Sequence, residues 1–298
     1  MSYVHGAAAV ALASSLAAAA NSEREFVFTE ADFQFLVKLA YDHAGIALAD
    51  SKRNLVYSRL SRRLRTLGLS SFREYREYLA VHDAELEGFI NAISTNLTKF
   101  FREAHHFDHF RMHVAVPFAQ AAARKPAGRL RVWSAGCSTG EEPYTIAAVL
   151  KREIRDIQRY DARILATDID TDVIAKGARG EYPISSIDEV PSNYREFFHP
   201  ASGNNKSTHI VMGEELRSLI VFRRLNLIEP WPFSGKFDAV FCRNVMIYFD
   251  GSTKSALVDG FTQQLHPGGW LYIGHSESLL GSHPGLDLVG RTTYRRIQ

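Results

Sequence analysis

The chain has 298 residues, 46% of them hydrophobic and 23% charged, with a net charge of +2. This length suits two domains of ordinary size, and the composition is that of a globular protein, not a disordered or fibrous one. The near-neutral total gives no sign of a nucleic-acid binder. Cys137 and Cys242 are too few for a disulfide framework and have no metal-ligand spacing, which suits a reducing, cytoplasmic setting.

The first 25 residues read as an Ala-rich, poorly ordered tail. Their apolar run, "GAAAVALASSLAAAA", is too short to span a bilayer and lacks the positive start of a signal peptide. Residues 26–123 read as an all-helical domain. "FVFTEADFQFLVKLAYDHAG" offers Thr29 as N-cap, Phe33, Leu36, Val37 and Ala40 at helical spacing, and Gly45 as the stop. "SKRNLVYSRLSRRLRTLG" places Val56, Leu60, Leu64 and Leu67 on one face, and "SSFREYREYLA" opens on a serine cap. "DAELEGFINAIST" and "REAHHFDHFRMHVAVPFAQ" complete the domain. Residues 124–128, "RKPAG", read as a linker.

From 124 to 298 strand-like and helix-like stretches alternate: "RLRVWSA", "EPYTIAAVLKREIRD", "ARILATDI", "TDVIAKGAR", and later "FDAVFC", "STKSALVDGFTQQL" and "GGWLYIGHSES". Such alternation implies a doubly wound α/β domain with a parallel sheet. Between about 180 and 224 the rhythm fails. Pro, Gly and Asn break up β-branched and aromatic residues there, which reads as a small antiparallel β insertion.

The chemistry gathers at "SAGCSTGEEPY". Gly136 and Gly140 follow a strand and permit close approach of a ligand at the sheet's carboxyl edge. The three-glycine dinucleotide fingerprint and the phosphate-loop lysine are both missing. Glu141 and Glu142 suit the first turn of a helix on dipole grounds alone, but they would repel a phosphate there. Asp168 closes the next strand, where an acid commonly accepts from ribose hydroxyls; Asp168, Asp170 or Thr171 could also cap the following helix. A ribose and a cationic group without phosphate describe S-adenosylmethionine.

The motifs "STNLTKFFREAHHF", "WSAGCSTGEEPY", "TDID", "NL" (226–227), "RNVMIYFD" and "PGGWLYIGHSESL" then resemble, in order, those of the bacterial chemotaxis receptor methyltransferases. The resemblance runs from about residue 26 to 295. It implies a helical N-terminal domain, an S-adenosylmethionine methyltransferase fold with a small antiparallel β insertion, and the formation of glutamate methyl esters on a receptor, with S-adenosylhomocysteine as product. By position, Asn96, Thr98 and Arg102 are similar to residues reaching the cofactor from the segment between the domains. Glu142 matches the acid facing the methionine end, with Glu141 as the alternative. Asp168 matches the ribose ligand, and Asn226, Leu227, Arg243 and Asn244 match adenosine and pocket positions. Arg102 and Tyr248 match the pair lining the methyl-transfer site. Cys137 departs from the family's small apolar residues and, as a small hydrophobe, changes nothing expected.

The chemistry agrees with these roles. A glutamate side chain, with an ordinary pKa of about 4.3, is already ionised near neutrality, so no general base is required. Arg102 is the candidate for orienting a carboxylate, and the Tyr248 hydroxyl for a hydrogen bond at the same place. Adjacent His105 and His106 do not have metal-site spacing. Arg53, Arg59, Arg62, Arg63 and Arg65 lie in a 51–73 stretch without an acid, a stripe suited to an acidic partner. The resemblance implies that this partner is the cytoplasmic methylation helices of a chemoreceptor. In some family members a receptor C-terminal tail peptide also binds the insertion, here around 200–209. Nucleic acid is disfavoured, since no aromatic residues interleave the stripe, and no stretch inserts in a membrane. Two competing readings, a non-catalytic cofactor-sensing module and an RNA methyltransferase, are disfavoured by the presence of Arg102, Asp168 and Tyr248 and by the absence of an Asn-Pro-Pro-Tyr-like site.

Overall fold

A computed structural model describes residues 24–124, 128–202, 208–279 and 281–297. Nearly all of the Ala-rich start, the centre of the expected linker and the middle of the 200–209 loop therefore lie outside the described residues. The chain forms two compact units that divide between Ile93 and Ser94, earlier than the 123/124 boundary expected above.

The first unit carries helices α1 (Glu30–Ala44), α2 (Arg53–Leu67), α3 (Phe72–Val81) and α4 (Asp83–Ile93). Each starts or stops for a local reason. The Thr29 hydroxyl accepts from the Asp32 N–H, and the Asp32 carboxylate accepts from the Thr29 N–H at 3.0 Å, a reciprocal capping box. Gly45 ends α1 with a left-handed φ of 68°. Ser71 caps α3. Val56, Leu60 and Leu64, one turn apart on α2, are buried, as are Phe33, Leu36, Phe72 and Phe89.

The second unit begins with α5 (Ala104–Phe110), a π-helical turn (Arg111–Ala115) and α6 (Val116–Arg124). This is the stretch that separates the observed boundary from the expected one. Its apolar face belongs to the second core: the Phe107 ring stacks on Phe241 at 5.7 Å, and Phe110 meets Phe241 edge-on at 5.4 Å.

There follow β1 (Arg129–Ala135), α7 (Glu141–Glu153), β2 (Asp161–Asp168), α8 (Thr171–Arg179), β3 (Glu181–Pro183), β4 (Phe198–Pro200), β5 (His209–Met212), α9 (Glu214–Arg217) and β6 (Ile220–Arg224). The chain then runs through β7 (Phe237–Cys242), α10 (Gly251–Gln264), β8 (Leu265–Ile273), β9 (Leu286–Gly290) and β10 (Thr293–Arg296). The main sheet has the order β6-β2-β1-β7-β8-β10-β9. Its first five strands are parallel; β10 and β9 add an antiparallel hairpin. β3, β5 and β4 form a separate antiparallel sheet. The insertion is thus shorter than expected, because Ile220–Arg224 pairs in parallel with β2, from Ile164↔Ile220 to Asp168↔Arg224.

The pleat sends alternate residues to opposite cores. Val132, Phe241 and Tyr272 face one core with α7, whereas Trp133, Val240 and Leu271 face the other with Leu257, Val258 and Phe261 of α10. The "HPGG" stretch bulges within β8: Phe237 pairs with Leu265, but Ala239 pairs with Trp270.

The strand order fixes where a ligand can sit. The chain leaves β1 toward β2 and β6, then returns to lay β7 on β1's other side. The reversal opens a crevice beyond the carboxyl ends of β1 and β7, the position at which open α/β sheets bind ligands.

Candidate functional site

The turn between β1 and α7 forms one wall of this crevice. The N–H groups of Gly136 and Cys137 both donate to the Thr167 carbonyl at 2.8 Å, which ties the turn to the end of β2. Gly136 has φ 80°, and a Cβ there would lie 2.3 Å from the Val245 side chain. Gly140 has φ 100°, and its Cβ would lie 2.9 Å from the Gly177 backbone. Both positions need glycine for conformation and for space. Cys137 is buried in the turn, and burial pushes its thiol well above its ordinary value, so it is an inert packing group.

Asp168, at the end of β2, accepts from the Ser138 N–H at 2.8 Å on one carboxylate oxygen and from the Asp170 N–H at 3.0 Å on the other. These bonds fix the plane of a half-buried carboxylate without using up its lone pairs. Burial outweighs these donors and the Ile169 N–H, and pushes its pKa up to about 6. The capping role falls to Asp170, whose side chain accepts from the N–H groups of Asp172 and Val173.

Glu141 and Glu142 point to different groups. Glu141 accepts from the Thr139 hydroxyl at 2.6 Å. Glu142 turns to the crevice between β1 and β7, accepting from the Ser134 hydroxyl at 2.7 Å and from Arg243 Nη1 at 3.0 Å. Burial raises the Glu142 carboxyl above its ordinary range, against the pull of Arg243. The Arg243 guanidinium is almost wholly enclosed. It also donates to the Arg102 carbonyl, lies 3.5 Å from Glu103 and covers the Phe107 ring at 5.1 Å. Two carboxylates, Glu142 and Glu103, therefore share one buried guanidinium.

The remaining expected site residues surround this group. Asn96 donates to Asp170 at 2.7 Å, and its carbonyl accepts from the Ser138 hydroxyl at 3.0 Å, so residues 95–103 lie against the glycine turn. Thr98 is half-buried on that segment. Arg102 folds back to donate to the Leu97 carbonyl at 2.7 Å and remains partly exposed. The Tyr248 hydroxyl donates to the Thr95 carbonyl at 3.3 Å. Asn226 and Leu227 follow β6 and are buried beside the end of β2; Leu225 N–H donates to the Asp168 carbonyl. Asn244 sits in the left-handed region at φ 61°.

Two further acids, which no local sequence pattern marks, build the site. Glu103 has φ 57° and pulls three segments together, accepting from the ring and N–H of His275 and from Asn244. Against the opposing effect of burial, the His275 hydrogen bonds and Arg243 hold its carboxyl down at about 2. Glu277, buried, accepts from the N–H groups of Asn244, Ile247 and Gly274, which fixes the loop carrying Arg243 and Tyr248. Both lie inside the quoted motifs, but their partners are far away in sequence. Glu103, His105 and His106 also bring ligand atoms within 4.8 Å of one another. The adjacent Arg243 guanidinium opposes a cation at that spot.

The basic stripe is largely neutralised within its own unit. Arg53 pairs with Glu30, Arg63 with buried Glu85 and Arg65 with Glu25, while Arg59 donates to the Ile93 carbonyl. Arg62 is exposed and has no ion pair among the described residues. The missing acids are supplied by neighbouring elements.

Comparison with known proteins places this geometry. Residues 31–94 match the model of the CheR methyltransferase all-alpha domain, and residues 96–295 that of the CheR methyltransferase SAM binding domain. The two ranges meet where the compact units divide. The chain is 43% identical over 278 residues to chemotaxis protein methyltransferase 2 of Pseudomonas aeruginosa, covering 91% of this chain and 95% of that one. It is 40% identical to the chemotaxis protein methyltransferases of Salmonella typhimurium, covering 91% and 92% of the two chains, and of Escherichia coli, covering 89% and 91%. Among the described residues, no helix is long and apolar enough to cross a membrane.

Proposed function

This chain belongs to the CheR methyltransferase family, with S-adenosylmethionine as its cofactor, and we propose that it methylates glutamate side chains on the cytoplasmic helices of a chemoreceptor. The observation that carries the cofactor's orientation is the pair of carboxylates, Glu142 and Glu103, around the single guanidinium of Arg243. Such a group is short of positive charge, and a cationic amino-acid end supplies it. Asp168, with lone pairs to spare, suits the ribose hydroxyls. Asn226, Leu227 and Asn244 line the adenosine side, and Asn96 and Thr98 close the crevice from the 95–103 segment.

The cofactor, when bound, supplies an electrophilic methyl group. The protein's task is to present a carboxylate in line with it, roughly 3–3.5 Å away, and to exclude water. Arg102 is the orienting group, since among the described residues its guanidinium is held by its own loop carbonyl alone and can exchange that bond for a substrate carboxylate. The Tyr248 hydroxyl retains acceptor capacity beside the Thr95 carbonyl. In the helical unit, Arg62 and its paired neighbours Arg53, Arg59, Arg63 and Arg65 form the receptor-facing stripe, in a protein acting in the cytoplasm.

Incubation of the protein with labelled cofactor and receptor membranes, followed by mild alkali, tests the reading. Label released by base is a carboxyl methyl ester; base-stable label rejects the assignment. A second expected outcome concerns pH. An ionised Asp168 accepts from both ribose hydroxyls, whereas the protonated form keeps only part of that capacity, so cofactor affinity is retained above pH 6 and falls below it, by at most about tenfold per unit. Calorimetric titrations at pH 7.5 and 5.0 measure this, and Asp168→Asn should weaken binding at pH 7.5 and flatten the dependence.

A further inference from the structure

At the carboxyl ends of β1, β7 and β8, a row of interacting groups runs from the interior to solvent: Glu142, Arg243, Glu103 and His275. The first three are enclosed, and their charges face one another. The side chain of His275 is 69% exposed, yet it is not free to turn. Its Nδ1 lies 2.9 Å from Glu103 Oε1, and its own N–H donates to Glu103 Oε2 at 3.2 Å, so one carboxylate holds both ring and backbone.

This contact settles the tautomer. An ionised carboxylate only accepts, so the proton of the neutral ring is on Nδ1 and the lone pair is on Nε2. A side chain so exposed ordinarily keeps its rotamer freedom. Here that freedom is given up, and among the described residues no group takes up Nε2. Arg243 and Glu103 separate His275 from Glu142, which sets the ring apart from the acid assigned to the cofactor.

We propose that His275 is a positioning residue for the protein substrate: Glu103 anchors Nδ1–H, and Nε2 accepts a hydrogen bond from an N–H of the incoming receptor polypeptide. The proposal rests on the receptor-methylating function put forward above. Glu103 contributes at both ends, pairing with Arg243 inside and aiming His275 outside. It also follows Arg102 in the chain, so the carboxylate that aims the ring and the orienting guanidinium stem from one segment.

The test compares His275→Ala and His275→Asn with the wild type, using a purified chemoreceptor cytoplasmic fragment and labelled cofactor. The amide nitrogen of asparagine replaces Nδ1 and keeps the link to Glu103 but leaves nothing at the place of Nε2. Both variants are expected to raise the KM for the fragment about three- to tenfold, the loss of one hydrogen bond. Turnover at saturating fragment and the cofactor Kd, measured by calorimetry, should be unchanged. Restoration of wild-type KM by asparagine would show that the ring only braces Glu103 and overturns the proposal, as does an unaltered KM in the alanine variant. A weakened cofactor Kd overturns it as well, by assigning the ring to the cofactor. A wild type that yields no base-labile ester rejects the receptor-methylating function itself, and the proposal with it.

Discussion

Arg102→Ala is expected to lower methyl transfer by about 10²–10³-fold with little change in stability, the scale on which removal of one preorganised group slows an enzyme. The structure accounts for the small change in stability. The guanidinium donates to the Leu97 carbonyl on its own exposed loop, so its loss leaves no buried partner stranded. The contact that holds the segment uses the Arg102 backbone carbonyl, which accepts from Arg243 and survives the substitution. Steady-state rates with a receptor fragment, alongside thermal melting, provide the check. Near wild-type turnover removes Arg102 from the mechanism, and a collapsed melting temperature makes it a structural residue. The partial burial of this arginine also bears on rate. Too tight an ion pair would quench the substrate carboxylate as a nucleophile, and a group that swaps a loop carbonyl for substrate orients it without enclosing it.

The effect of Arg243→Ala should be different in kind. Its guanidinium is buried between Glu142 and Glu103, with the Phe107 ring beneath. Removing one member of a buried ionic group leaves the others uncompensated, at a cost of about 3–5 kcal/mol. Chemical denaturation should show this loss, and cofactor binding should fall with it because Glu142 is no longer held toward the crevice. Adding Glu142→Gln to Arg243→Ala removes one stranded charge and should restore part of the stability, a non-additivity readable in a double-mutant cycle. Simple additivity of the two substitutions would mean that they do not share a network.

What was legible in the sequence was what is local. Thr29 and Asp32 are three residues apart and announce a helix start. Gly136 and Gly140 announce a turn after a strand, and Asp168 falls at the end of the next strand because strand and helix lengths are regular. Glu141 and Glu142 could not be told apart, since their difference lies in Thr139 on one side and Ser134 with distant Arg243 on the other. Residues 104–124 have the period of a helix, and that period does not say which core the helix covers; the rings of Phe241 and Tyr272, more than a hundred residues later, decide it. The arginine stripe read as unopposed because Glu25, Glu30 and Glu85 lie on other elements. Glu277 escaped notice for the same reason, as two of its three N–H donors, those of Asn244 and Ile247, come near it only after β7 and β8 have paired.

The strand order has a consequence for biosynthesis. β1 can pair with β2 only once residue 168 has been made, and its other edge waits for residues 237–242. Until then the nascent chain displays an apolar strand edge, with Trp133 and Ala135 still lacking the cover of β7 and α10. An edge of this kind recruits stray strands. The antiparallel sheet of β3–β5 is translated during that interval and pairs only within itself, so its strands have partners other than the open edge of β1.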